Sequence, residues 1–330
     1  MHNLIFKKIS PGILLVLAIA IPAWYLGKSF PIMGGPVFGI LMGILAAFWK
    51  RPSVFNEGIK FTSKKLLQTA IILLGFEMNL YNVIKVGSQS LVVMLFTLTA
   101  AFMTAYLVGR ALKLQGNVAI LIGVGTAICG GSAIAATAPV IKAEDKEIAY
   151  SISTIFLFNV AAVFIFPAIG HLVQMSDIGF GIWAGTAIND TSSVVAAGYS
   201  YSDAAGSLAT IVKLTRTLMI IPIALFLAIY THKKTTQNTN FALSKVFPWF
   251  VLGFIAASII STTGLVPLET GKLLAQFGKF LIVMAMAAIG LNTNIKQLIS
   301  NGIKPILLGL CCWIAVALTS IIAQYMLKLW

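Results

Sequence analysis

Long apolar runs, broken only by charged or turn residues, fill this chain and predict helices of membrane length. Eleven runs stand out, at about 11–27, 32–49, 65–80, 88–109, 117–140, 147–170, 178–199, 206–230, 246–262, 273–291 and 304–328. The third and seventh are short or unusually polar. The longest polar connection is 231–245, and no stretch is left to form an extramembrane domain. The predicted class is therefore an all-α polytopic membrane protein with one membrane domain, 1–330, of about eleven transmembrane helices.

Composition removes the soluble alternatives. The chain is 59% hydrophobic and 10% charged, with a mean hydropathy of +0.96; soluble domains carry about 25% charge. The net charge of +14 comes from basic residues scattered through short loops, without aromatic interleaving, so topology explains it better than nucleic acid does. With the N-terminus inside, fourteen Lys/Arg fall on the cytoplasmic side and seven outside, the seven including Lys142, Lys146 and Lys279. That bias favours N-terminus in and C-terminus out. Cys129, Cys311 and Cys312 lie within apolar runs without metal-ligand spacing, so neither a metal site nor a disulfide framework is expected. The first apolar run leads at once into another, unlike a cleaved leader. No HExxH, GxSxG or P-loop occurs, so an enzyme is not expected, nor any cofactor.

Two internal duplications organise the runs. Gly75, Asn79, Ile84 and Gly87 recur in register as Gly290, Asn294, Ile299 and Gly302, and upstream Lys64 pairs with Lys279. Seven runs separate the copies, so they enter from opposite sides, as in inverted-repeat transporters. The second duplication matches 125–136 to 185–196, with six of twelve positions identical at an offset of 60. Counted as full crossings, this second pair is parallel, in conflict with the first. A re-entrant hairpin in one of the two segments is one candidate departure from full crossings.

The second duplication also holds the candidate chemistry. Thr126, Cys129, Gly130, Gly131 and Ser132 interrupt the fifth run, where paired glycines weaken a helix. A break there aims free amides around Gly131 and Ser132 at one point, which suits an anion; the alternative is a small-residue packing stripe. Asn189, Asp190, Thr191, Ser192 and Ser193 hold the matching place in the seventh run. Asp190 is the one acid in mid-run, either an ion-binding carboxylate or the N-cap of a helix starting at Thr191. Lys213 and Arg216, three apart on one helical face, can neutralise Asp190, hold a substrate anion, alternate between them, or form a structural ion pair. Asn159 can bond a broken helix or tie two helices together.

Gly125–Ala136 with Ala138-Pro139 and Phe158-Asn159, and Ala184–Gly198 with Val212-Lys213-Leu214-Thr215-Arg216, resemble the sulfate exporter family of YeiH-like bacterial membrane proteins. The pattern is also similar to the wider sodium/proton antiporter and bile-acid symporter fold, in which two broken helices cross at mid-membrane. The order of segments departs from that fold, since the seventh run follows the fifth closely. The resemblance implies a secondary transporter, with core segments at about 117–230 and a repeat-related panel at about 32–109 and 246–328. Its substrate would be a small inorganic or sulfur-containing anion, such as sulfate or sulfite, exported with coupling to protons or sodium. Cys129, Gly130, Gly131, Ser132, Thr191, Ser192, Ser193, Lys213 and Arg216 would bind substrate. Asn189, Asp190 and Asn159 would serve the coupling ion, Na+ or H+. The partners expected are the anion, the bilayer and a second copy in a homodimer. Rival readings are a sodium/proton antiporter without an anion substrate and an anion channel.

Overall fold

A computed structural model describes residues 2–30, 34–49, 51–114, 117–219, 223, 249–293 and 302–329. Asn294, Ile299, Pro222 and the 231–245 connection lie outside the described residues. The described chain is helical throughout, in the order α1 (His2–Ser29), α2 (Gly34–Ala47), α3 (Asn56–Phe61), α4 (Leu67–Leu74), α5 (Leu80–Ala111), α6 (Val118–Ala127), α7 (Gly131–Thr137), α8 (Asp145–Leu172), α9 (Asp177–Ala187), α10 (Thr191–Tyr201), α11 (Asp203–Leu218), α12 (Trp249–Thr262), α13 (Leu268–Asn292) and α14 (Ile303–Met326). A π-helical turn, Thr62–Leu66, joins α3 to α4, so the third run begins earlier than the expected 65–80 and ends before residue 80. Five of these helices contain stretches long and apolar enough to cross a membrane: Lys8–Ser29, Leu80–Ala111, Lys146–Leu172, Leu268–Asn292 and Ile303–Met326. Shorter apolar helices, α2, α6 and α12, lie among them.

The helices pack as two groups. In the flanking group, α13 lies along α2 and α4, with α1 and α12 outside them. Glycines let α2 and α13 meet backbone to backbone: a Cβ on Gly43 would fall 2.3 Å from the Ala287 carbonyl oxygen. The hairpin group holds α6–α11, with α5 and α14 packed against each other and against it. The repeat reading had put those last two helices in the panel. Their contacts run to α6, α9 and α11 because Ala105 and Gly109 face α6, and Trp313 stacks near Phe158 and Phe166 of α8.

Neither broken segment crosses the protein; each turns back. Asn117, before α6, donates its backbone N–H to Glu147 Oε1 of α8 at 2.7 Å. The start of α6 and the start of α8 therefore share one face. Between them α6 descends, the chain breaks at 128–130, and α7 returns alongside, Gly125 against Ile134. The second segment mirrors this from the opposite face. The Tyr201 hydroxyl donates to the Met175 carbonyl, and Ser202 Oγ donates to Asp177 Oδ1 at 2.5 Å, so the end of α10 lies beside the start of α9. Two opposed re-entrant hairpins make the second duplication inverted, like the first, and dissolve the conflict that counting full crossings had produced. The sequence did not reveal this because 24 residues at 117–140 are long enough to span.

In membrane vesicles, Lys113→Cys and Lys146→Cys will react with an impermeant maleimide from one side, and Gln174→Cys from the other. Reaction of positions 113 and 146 from opposite sides would restore a crossing helix at 118–137.

Candidate functional site

Each hairpin tip is a helix end with nothing of its own to satisfy it. α6 stops at Ala127, and Ile128, Cys129 and Gly130 carry the chain round before Gly131 opens α7. Gly130 has φ +69° and ψ −127°, backbone that a side chain would strain. In the second hairpin, Ile188, Asn189 and Asp190 separate α9 from α10, Ile188 and Asp190 being extended. Both C-terminal ends leave carbonyls unbonded and a partial negative charge. Away from water, such groups must be met from within the protein.

Lys213 and Arg216 meet them. Lys213 Nζ donates to Ile128 O at 2.9 Å, to Ile188 O at 3.1 Å and to Asn189 O. Arg216 donates through Nε to Ala127 O at 2.8 Å, through Nη1 to Ile188 O at 3.3 Å, and through Nη2 to Thr126 O. Both side chains are fully buried. Their spacing of three on α11 lets one helical face serve both tips.

The opposite poles of the break open on a cavity. The N-terminal ends of α7 and α10 line a space of about 490 Å³ through Gly131, Ser132, Asp190, Thr191 and Ser192. Facing them across the cavity are Lys64, Gln68, Phe250 and Asn292 of the flanking group. Asp190 caps α10: Oδ2 accepts from the Ser192 backbone N–H at 3.0 Å and from its hydroxyl. Asn159 of α8 accepts, through Oδ1, from the backbone N–H groups of Asn189 at 3.2 Å and Asp190 at 3.1 Å. Its Nδ2 faces the Gly130 turn; a Cβ there would lie 3.6 Å from it. The residue lines the cavity while only 3% exposed, and Nδ2 has no hydrogen-bond partner among the described residues.

The predicted residues thus divide. Gly131, Ser132, Asn159, Asp190, Thr191 and Ser192 come together around the cavity. Gly130 forms the turn beneath Asn159. Cys129, Asn189 and Ser193 are buried in or behind the tips, and Asn189 Oδ1 has no partner among the described residues. Lys213 and Arg216 stand behind the tips and do not line the cavity; among the described residues neither forms an ion pair with Asp190. The physical reason is that Asp190 sits at the amide-rich pole, which satisfies it locally, while the carbonyl-rich pole takes the cations. Sequence reasoning missed the flanking-group wall. Lys64 had surfaced only as a register mark, because nothing in one sequence says which helix faces the tips.

Residues 11–309 match the family model described as "Conserved hypothetical protein 698". The chain is 50% identical to a UPF0324 membrane protein of Fusobacterium nucleatum over 337 residues, covering 96% of this chain and 97% of that relative. It is 48% identical to a UPF0324 membrane protein of Streptococcus agalactiae over 336 residues, covering 99% and 100%. A third, from Streptococcus pyogenes, is 52% identical over 331 residues, covering 97% and 98%.

Arg216→Leu strands the Thr126 and Ala127 carbonyls and will lower stability by about 2–6 kcal/mol, measured by unfolding in detergent. Asn159→Ala frees two buried amides and will cost about 1–3 kcal/mol, whereas Asn159→Asp keeps the acceptor and will cost less. Equal losses for the two Asn159 variants would show that the carbonyl oxygen is not what holds the second tip.

Proposed function

This chain belongs to the family described as Conserved hypothetical protein 698, and from that premise and the hairpin geometry we propose that it is a secondary transporter of a small anion, sulfate or sulfite. The observation that carries the reading is the polarity of the breaks. Two helix N-termini and Asn159 line one cavity, and buried cations cap the opposite poles. Amides held in place, with one exposed lysine, Lys64, in the facing wall, are suited to an anion that must bind and leave.

In this reading the eleven segments are nine crossings and two hairpins in a bacterial cytoplasmic membrane. The hairpin returns bring Lys142 and Lys146 to the N-terminal side, so sixteen basic residues fall there against five opposite. That stronger bias favours a cytoplasmic N-terminus. Lys213 and Arg216 become positioning residues that hold both tips, in place of the substrate counter-charge first expected. Asp190, beside the amides, carries the coupling proton or sodium ion, and export is the favoured direction.

One observation favours a second reading. Because no buried cation among the described residues lines the cavity, Asp190 with Asn159 also suits a sodium/proton antiporter that takes no anion.

Charge movement in proteoliposomes separates the two. On rapid exchange to sulfate or sulfite, wild type will give a signal that a bulky control anion does not, and Asp190→Asn will lose its dependence on sodium or pH. Sodium or proton signals with no anion dependence would overturn the anion reading in favour of the antiporter.

A further inference from the structure

The two helix groups are fastened to each other on the face opposite the N-terminus. A cavity of about 410 Å³ enters between them there, past Lys28 and Gly35 on one side and Tyr199 and Ser202 on the other. Lys279 of α13 lies in its wall and reaches across the boundary. Its Nζ is 2.9 Å from Asp203 Oδ1, at the start of α11, and 3.4 Å from Glu77 Oε2 within its own group. It also lies 5.3 Å from the ring centre of Tyr199 in α10. The Lys279 side chain is 17% exposed and that of Asp203 is 76% exposed, so the contact is open to water and modest in strength. Nearby, the groups touch closely: a Cβ on Gly34 would fall 2.8 Å from the Ser200 Cα.

The N-terminal face has the complementary arrangement. Its cavity runs to both hairpin tips, and the one cation among its lining residues is Lys64. The Lys64 ammonium has no hydrogen bond or ion pair among the described residues. It belongs to the π-helical turn Thr62–Leu66, a local departure from α geometry of the kind found frequently at functional sites. The inverted repeat that aligns Gly75 with Gly290 aligns Lys64 with Lys279. On the hairpin side, Asp145 opens α8 just as Asp203 opens α11. Each face thus has one of the two repeat-related lysines on the flanking group and an acidic residue opening a helix of the hairpin group, with Lys28 also lining the opposite cavity over the Trp24 ring; of the repeat pair, only Lys279 forms an ion pair among the described residues.

We propose that Lys64 and Lys279 are alternating counter-charges of a single gate, the lysine on the open face receiving the anion while its repeat mate latches the closed face. This rests on the anion-transport reading above. In the conformation seen here, Asp203 and Glu77 occupy Lys279, which therefore offers no free charge to an anion on that face. Lys64, without a partner among the described residues, lies in the wall of the cavity that leads to the tips. Sliding the hairpin group against the flanking group releases Lys279 from Asp203 and moves the N-terminal end of α8 relative to Lys64. The two lysines then exchange tasks, and each is free for the anion only on the face where the path is open.

Accessibility tests the exchange whether or not the transported anion is identified. Single cysteines at Ile152, on the N-terminal-face cavity, and Gln276, on the opposite one, are made in full-length protein with Cys129, Cys311 and Cys312 replaced by serine. An impermeant maleimide is applied from the corresponding side of vesicles. In the parent, Ile152→Cys will react faster than Gln276→Cys. Asp203→Asn with Glu77→Gln will raise the Gln276→Cys rate about tenfold and lower that of Ile152→Cys. Sulfate or sulfite will slow Ile152→Cys labelling in the parent and in Lys64→Arg, but not in Lys64→Gln. Unchanged rates in the double carboxylate variant overturn the latch, and protection that survives in Lys64→Gln overturns the counter-charge. If neither anion protects the parent while the rates still exchange, the anion reading and the role of Lys64 within it fall, and the Lys279 latch is upheld.

Discussion

Six hydrogen bonds from two buried cations to backbone carbonyls hold the centre of this protein together. A helix that ends within a membrane exposes acceptors that lipid cannot satisfy. Here two helices end at the same depth, from opposite faces, and one face of α11 serves both. The arrangement is reciprocal: buried lysine and arginine would be untenable without acceptors, and the helix ends without donors. With the carbonyl poles neutralised on one side, the amide poles are left facing the cavity. The polarity of the site is therefore a consequence of how the tips are capped.

The breaks themselves were legible in the residues. Gly130-Gly131 in one apolar run and Asn189-Asp190 at the same offset in another mark places where a helix gives way, and the structure breaks both. What the residues did not disclose was that each segment turns back. Apolar length says that a segment can cross a membrane, and a hairpin of two half-helices has the same length as a spanning helix. The clue was the conflict between a parallel and an inverted duplication, which only returning segments resolve. The role of Lys213 and Arg216 was hidden for a different reason. A basic residue at depth needs a negative partner, and the sequence shows carboxylates but not unsatisfied carbonyls, so Asp190 stood out as the partner. The backbone acceptors exist only once the helices have ended.

The cavity is built from two kinds of wall. The hairpin group contributes polar backbone ends fixed by buried bonds, whereas the flanking group contributes side chains: Lys64, Gln68, Asn292 and the apolar Phe250 and Ile289. Contacts between α10 and both α2 and α13 join the groups. A shift between the groups would alter the composition of the cavity without disturbing the tips, whose supports all lie inside one group. Rigidity and adaptability are assigned to different helices.

The hairpin supports also set an order of events during synthesis. Lys213 lies 85 residues after the Ile128 carbonyl that it bonds, and Arg216 lies 90 residues after that of Thr126. When the first hairpin leaves the ribosome, the donors that complete its tip have not yet been made. The segment at 118–137 must therefore wait, at the membrane surface or against α5 and α8, until α11 is threaded into place. Its final seating is a late, post-insertional step, and the interval between synthesis of residues 137 and 213 is when this protein most needs help from its surroundings.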